Sequence, residues 1–219
     1  MDLIAGEINV IKEFIHSGDL VFDVGAFHGE WTNEVLKRYS DVILHQFEPI
    51  PKSFNQLVNN FSNCVQNNCA VSDKIGITLF YDYYTCPVLS TIHRRNNQIE
   101  KSLGLIVKEI EVLTTTIDCY CKQRNIEQIN FLKIDTEGNE FAVLQGAEKL
   151  LADRKINYIQ FEYGGCYIDA GVTLKEVFNF LINKEYKLFK ISHDELIFIE
   201  KFEPELENYE YSNFLAKAT

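Results

Sequence analysis

Five acids stand where the sequence predicts strands to end: Asp23, Glu48, Asp73, Asp135 and Glu162. A carboxylate at the end of a buried strand is costly unless donors meet it, so each is tied to backbone amides or holds a ligand. Any one of them alone reads as a cap or a surface acid. Together they suggest a ligand rich in hydrogen-bond donors, or a metal. The most informative stretch is Val21-Phe22-Asp23-Val24-Gly25-Ala26-Phe27-His28-Gly29-Glu30-Trp31, in which an apolar run, a glycine turn and a helix start follow one another. Gly25 lets the chain turn sharply and lets a ligand approach bare backbone, while Gly29 sits where the next helix presses against the sheet.

The pattern here is D-x-G-x-x-x-G, with Phe27 where the dinucleotide fingerprint G-x-G-x-x-G would place a glycine. An anionic Asp23 beside the loop would repel a pyrophosphate. It suits a ligand with a positive or donating end, such as the ammonium of S-adenosylmethionine; the alternative is that Asp23 only caps the turn. Glu48 follows Asp23 by 25 residues. An acid there, at the end of a second strand, can accept hydrogen bonds from ribose hydroxyls, or it is simply an exposed residue before Pro49. The small Ala70 and Val71 leave room for a flat adenine, whose amino group Asp73 or the adjoining backbone would read.

The elements that must position these residues follow from periodicity and punctuation. Residues 2–16 have apolar positions at helical spacing, ended by Ser17-Gly18-Asp19. Strands are expected at 20–24, 41–47, 64–71, 129–134 and 156–161, with helices at 30–39, 51–61, 116–124, 140–151 and 173–183 between and after them. Thr173 and Glu176 form a capping box for the last helix. Residues 76–84 and 108–113 read as an antiparallel pair around the irregular segment 85–101, the kind of stretch that serves as a lid or binding loop. Its aromatic neighbours Phe80, Tyr81, Tyr83 and Tyr84 could stack on a ring or serve the hairpin alone. Two closing strands, 186–191 and 195–199, precede an acidic and then aromatic tail. This order implies a doubly wound sheet in a single domain 1–219, with a lead-in helix over 1–16, a core over about 17–200 and an extension over 201–219. Ligands of such sheets bind beyond the carboxyl ends of the strands.

At 219 residues the chain is long enough for one full-sized core. Its formal net charge of -11 argues against nucleic acid as a partner, although His93-Arg94-Arg95 is a local basic strip. No stretch approaches the ~20 apolar residues of a membrane span. Residues 1–10 lack the basic start of an export signal, so a cytoplasmic location is expected. The six cysteines contain no C-x-x-C pair and read as reduced thiols. Cys119 and Cys121 point to different faces of a helix, which makes a poor metal pair.

Taken together, VFDVGAFHGEWT, FEPIPKSFNQLVNN, NNCAVSD, FLKIDTEGNEFAVLQGAEKLL and IQFEY resemble the FkbM family of S-adenosylmethionine-dependent methyltransferases, over roughly residues 8–200. The most specific element is Lys133-Ile134-Asp135-Thr136-Glu137-Gly138-Asn139-Glu140, similar to the family's K-x-D-x-E-G-x-E block. The resemblance implies an α/β fold of the class I methyltransferase (Rossmann-like) type: a mostly parallel seven-stranded sheet with an extra antiparallel hairpin. It also implies O-methylation of a sugar, polyketide or related metabolite. Carried over by position, Asp23 and the loop Gly25, Ala26, Phe27 and Gly29 would hold the methionine part of the cofactor. Glu48 would hold the ribose, and Ala70, Val71 and Asp73 would flank the adenine. Phe27 and His28 stand where smaller or amide-bearing residues are expected.

Methyl transfer to an alcohol needs acceptor oxygen, methyl carbon and sulfur in line and a base for the hydroxyl proton. Asp135 is the expected base with Glu137 beside it, and His28 and His93 are the reserves. Alternatively Asp135, Glu137 and Glu162 hold a divalent cation such as magnesium that lowers the acceptor's pKa. Lys133 is expected to pair with one of these acids. The expected partner is a small-molecule or carbohydrate acceptor. The competing class is a module of the same fold that binds the cofactor without catalysis. A nicotinamide oxidoreductase ranks third. A nucleic-acid amino-methyltransferase is disfavoured by the acidic charge and by the lack of Pro-Pro-aromatic after the fourth strand.

Overall fold

Apolar runs such as Leu20–Val24 and Ile129–Ile134 fold as strands buried on both faces, and helices with one apolar side lie across them. The computed structural model describes residues 5–219. The chain begins with α1 (Ala5–Phe14), β1 (Leu20–Val24), α2 (Glu30–Leu36), β2 (Ile43–Phe47), α3 (Pro51–Asn60), β3 (Val65–Asn67) and β4 (Ala70–Val71). It continues through β5 (Gly76–Tyr83), α4 (Asn97–Ser102), β6 (Val107–Thr115), α5 (Ile117–Arg124), β7 (Ile129–Ile134), α6 (Glu140–Gln145) and α7 (Glu148–Ala152). The last third contains β8 (Ile156–Tyr163), α8 (Cys166–Ala170), α9 (Leu174–Ile182), β9 (Tyr186–Ile191), β10 (Leu196–Ile199) and β11 (Ser212–Ala218).

The main sheet has eight strands in the order β10-β9-β11-β8-β7-β1-β2-β3, and the run from β8 to β3 is parallel. A second sheet, β4-β6-β5, contains the expected antiparallel pair β5 and β6. Of the expected first helix, residues 2–4 lie outside the described residues. None of the six cysteines is in a disulfide.

Three expectations are corrected. The sheet has eight strands rather than seven, because the expected 201–219 extension supplies β11, which lies antiparallel between β8 and β9. Ser212–Ala216 are buried, so β11 lacks the alternation that would have marked it as a strand. Phe214 and Leu215 are almost fully buried, and each such side chain stabilises by about 1.5–3 kcal/mol. Deleting residues 212–219 is therefore expected to unfold the protein, read as loss of the cooperative melt by circular dichroism.

The expected strand 64–71 breaks into β3 and β4, which join different sheets. Asparagines make the break: Asn67 Nδ2 donates to Gln46 O at 2.9 Å, and Asn68 Nδ2 donates to Glu48 O at 2.9 Å and Pro49 O at 3.1 Å. The expected helix 140–151 is also two helices. Gly146 passes so close to another segment that an added Cβ would lie 2.1 Å from Ser72 O, and Asp118 caps α7 by accepting from Lys149 N and Leu150 N.

A polar row crosses the middle of this sheet. The registers align Gln46, Asp23, Lys133 and Gln160 on β2, β1, β7 and β8. Gln46 donates to Thr32 Oγ1 at 2.9 Å, Thr32 donates to Asp23 at 2.8 Å, and Gln160 donates to Glu7 of α1 at 2.8 Å. The row lies just below the carboxyl ends of the strands.

Candidate active site

An open cavity of about 250 Å³ lies beyond those strand ends, with β5 and residues 87–92 forming one wall. Its floor is the turn after β1. Gly25 N and Ala26 N both donate to Phe47 O, at 3.0 and 3.1 Å, and Asp135 N donates to Val24 O at 3.0 Å. The turn is thus fixed to the strand on either side. Gly25 has φ +80°, and an added Cβ would lie 1.8 Å from Asp135 O, so only glycine fits. Gly29 has φ +86° and presses on the Phe61 ring after α3, not on the sheet as expected.

Gly25, Ala26, Phe27 and Glu48 line the cavity, as do Ala70, Val71, Asp135, Glu137 and Glu162. Asp23, His28, Gly29 and Asp73 are not among its lining residues. Asp23 is fully buried beneath the floor, where it accepts from Thr32 and lies 3.6 Å from Lys133 Nζ. It fastens α2 and β7 to β1. Burial raises its pKa against the pull of Lys133. His28 stacks on Phe27 with ring centroids 3.7 Å apart, and Asp73 pairs with Lys74 at 3.2 Å. His93 is hydrogen-bonded to Asn139 at 3.3 Å and is also not a lining residue.

Glu48 is held from both sides: Oε1 accepts from Ile50 N at 2.8 Å and Oε2 from Phe27 N at 2.9 Å. It is buried, not an exposed residue before proline. Burial pushes its carboxyl up to about 8 against these two donors. Phe27 itself sits at φ +48°, a conformation bulky residues rarely adopt, which directs its N–H at Glu48.

On the other side of β1, Lys133 Nζ contacts Asp135 at 3.1 Å. Burial works against its charge, but Asp135 and Asp23 hold it protonated. Glu137 and Gly138 both have positive φ, +57° and +109°, and Glu140 folds back to hold this turn. Its carboxylate accepts from Thr136 N at 2.7 Å, Thr136 Oγ1 at 2.9 Å and Gly138 N at 3.0 Å. Glu137 forms an ion pair with Arg95, which also reaches Asp169 of α8 at 3.6 Å. Burial and then Asp135 raise Glu137 to about 7, and burial raises Glu140 to about 7.

Glu162 is next to Asp135 on the neighbouring strand, continuing the register Ile134↔Phe161. Burial, Asp135, Glu137 and Glu140 all push its pKa well up, and its Oε2 has no hydrogen-bond partner.

The ligand atoms that gather within 4.8 Å belong to Glu137, Glu162 and Cys166, so Asp135 drops out of the expected metal set. A thiol replaces a hard oxygen and Arg95 already neutralises Glu137, a poor site for magnesium.

The basic strip is consumed internally: Arg94 pairs with Glu100 at 3.1 Å and Glu109 at 3.3 Å. Arg95 is the functional neighbour that sequence reasoning assigned only a general role. Glu7, Glu30, Trp31 and Tyr211 line the cavity and were not anticipated. Helical spacing marked α1 only as a lead-in, and Tyr211 belongs to the segment read as an extension. Of the aromatic cluster, Phe80 lines the cavity and Tyr83 is buried, donating to Glu100 at 2.9 Å.

These pKa directions set a stability profile. Glu48, Glu137 and Glu140 bind protons more tightly in the fold than at the ordinary 4.5. Their contribution is fully present below about pH 4.5 and is lost as the pH rises through about 7–8. The melting temperature of the ligand-free protein is expected to fall between about pH 5 and about pH 8, and Glu140→Gln to flatten that slope. A profile that rises over this interval would contradict the assignment.

The sequence model described as "Methyltransferase FkbM domain" matches residues 23–188. The curated 31-O-demethyl-FK506 methyltransferase FkbM of Streptomyces tacrolimicus is 29% identical over 162 residues, 61% of each chain. The present chain thus spans about three-fifths of that relative's length. Among solved structures, methyltransferase FkbM from Methylobacillus flagellatus KT superposes with a TM-score of 0.60 at 13% identity, covering 98% of this chain and 48% of that one. A TehB-like SAM-dependent methyltransferase from Corynebacterium glutamicum gives 0.52 at 11% identity, covering 98% and 88%. The two structural likenesses match the α/β sheet, and the domain match extends from Asp23, beneath the cavity floor, past Glu162. By that match, the chain belongs to the FkbM family of methyltransferases.

Proposed function

We propose that this protein transfers a methyl group from S-adenosylmethionine to a hydroxyl oxygen of a small molecule or glycan. The observation that carries the reading is the pairing of the glycine floor with the buried, doubly anchored Glu48 on one side and Asp135 on the other. The residues fit the cofactor: bare backbone at Gly25 and Ala26 for the methionine part, Glu48 for the ribose hydroxyls, and small apolar Ala70 and Val71 beside Phe80 for the adenine. When bound, the cofactor supplies an electrophilic methyl on a sulfonium, whose bonding electron pair stays on sulfur.

Asp135 takes the hydroxyl proton as the acceptor oxygen bonds to the methyl carbon, and Lys133 at 3.1 Å fixes the orientation of that carboxylate. Glu137, anchored by Arg95, adds negative charge near the same point. Alignment within the walled cavity contributes a further share of the rate.

The test is incubation with labelled S-adenosylmethionine and a panel of sugars and polyketide-like alcohols, with and without chelator. Label in an ether product, unaffected by chelator, is expected. Cofactor binding without transfer to any alcohol would instead mark a non-catalytic binding module. Glu48→Gln is expected to weaken the cofactor about tenfold by calorimetry, since the amide cannot accept as strongly from both backbone donors and ribose. Among the described residues no helix is long and apolar enough to cross a membrane.

A further inference from the structure

The two sides of the cavity differ in charge. On the β2 side the lining around Glu48 is apolar, with Ala70, Val71 and Phe80. The rest of the lining includes Glu7, Glu30, Asp135, Glu137 and Glu162, and Lys133 is the cation among the described lining residues. The cofactor brings an ammonium, a sulfonium and a carboxylate, a net single positive charge, which does not balance these acids.

The internal pairings leave a surplus as well. Lys133 is committed to Asp135 and Asp23, and Arg95, behind the wall, to Glu137 and Asp169. Glu7 is likewise committed, to Gln160 among others, and is not part of that surplus. Glu30 has His28 at 4.0 Å and is 43% exposed at its side chain. Glu162 is 5% exposed; its carboxyl is hydrogen-bonded to Asp135, and its Oε2 is buried without a partner of its own. A buried carboxylate oxygen without a donor costs about 1–3 kcal/mol or more, a cost that an incoming donor removes. Trp31 and Tyr211 also line the cavity. Carboxylates beside aromatic faces suit an ammonium carried on a carbon skeleton, through charge-assisted hydrogen bonds and cation–π attraction.

Building on the transferase reading, we infer that the acceptor is an ammonium-bearing alcohol of the amino-sugar type, its amine met by Glu162 and Glu30 and its carbon skeleton by Trp31 and Tyr211. The amine is the recognition handle and a hydroxyl is the methylated group. The formal net charge of -11 would steer such a cation toward the protein.

The test uses the full chain saturated with S-adenosylhomocysteine, titrated by calorimetry with glucosamine and N-acetylglucosamine, and with galactosamine and its N-acetyl form. In at least one pair the free amine is expected to bind ten or more times more tightly, about 1.4 kcal/mol. That preference should shrink as salt is raised. Glu30→Gln and Glu162→Gln should each reduce it at least threefold; Glu30 is exposed enough that its replacement leaves the fold intact. If no amine binds better than its acetylated partner, or if Glu30→Gln leaves the preference unchanged, the inference is overturned. The two readings fail separately. Amine preference without methyl transfer to any acceptor removes the transferase and leaves the amine site. Transfer to alcohols with no amine preference does the reverse. Label found on nitrogen would keep the site but make the amine itself the acceptor.

Discussion

Gly25→Ala is expected to abolish cofactor binding. The added Cβ would lie 1.8 Å from the Asp135 carbonyl oxygen, and both walls of that contact are backbone fixed by hydrogen bonds to β1 and β2. The turn must therefore open, which moves the floor and the Asp135 backbone together. Overpacking and the positive φ of +80° together cost about 2–5 kcal/mol of stability. A displaced floor loses contacts along the methionine part, and an affinity loss of at least about 100-fold corresponds to only about 2.7 kcal/mol. Calorimetry with S-adenosylhomocysteine and a thermal melt read the two effects separately. An affinity within a fewfold of the parent would show that the ligand does not lie over this turn.

Asp135→Asn is expected to lower kcat by about 10²–10⁴ while leaving cofactor affinity within a fewfold. The amide preserves shape but cannot take a proton, and Lys133 keeps Asp23 as a counter-charge at 3.6 Å. The group nearest in role is Glu137, whose carboxyl is raised to about 7 and held by Arg95. Residual activity in the variant should therefore rise with pH as Glu137 ionises, at a lower pH than in the parent because the Asp135 charge that helps to raise it is gone. Single-turnover rates over a pH series test this directly. Unchanged turnover would remove Asp135 as the base.

How far the site was legible depended on whether each signal was local. The turn after β1 and the acids at strand ends are local: strand, glycine and carboxylate follow one another in the chain, and Gly25, Glu48 and Asp135 do line one cavity. What local pattern could not separate was an acid facing the cavity from an acid beneath it. Asp23 and Asp135 look alike in sequence, yet the register aligns Asp23 with Lys133, below the floor, while Asp135 lies beyond the end of β7. Asp73 ends a short strand of the other sheet and turns to Lys74. The α/β alternation and the β5–β6 pair were equally legible. Contacts between distant segments were not: Arg95 meets Glu137 across 42 residues, and Gln160 meets Glu7 across 153.

The placement of β11 has a kinetic corollary. It pairs with β8, where Asn213 opposes Glu162, and with β9, where Asn213 opposes Ile191. β8 pairs with β7 and β9 with β10 beforehand, but the two pairs are joined into one sheet only when β11 arrives. On the other half β1 pairs with β2 early, but its second neighbour β7 joins it only across 110 residues. Contacts of high sequence separation form slowly because loop-closure entropy must be overcome first. During synthesis the floor of the cavity should therefore be complete once β7 joins β1, before β11 closes the edge formed by β8 and β9.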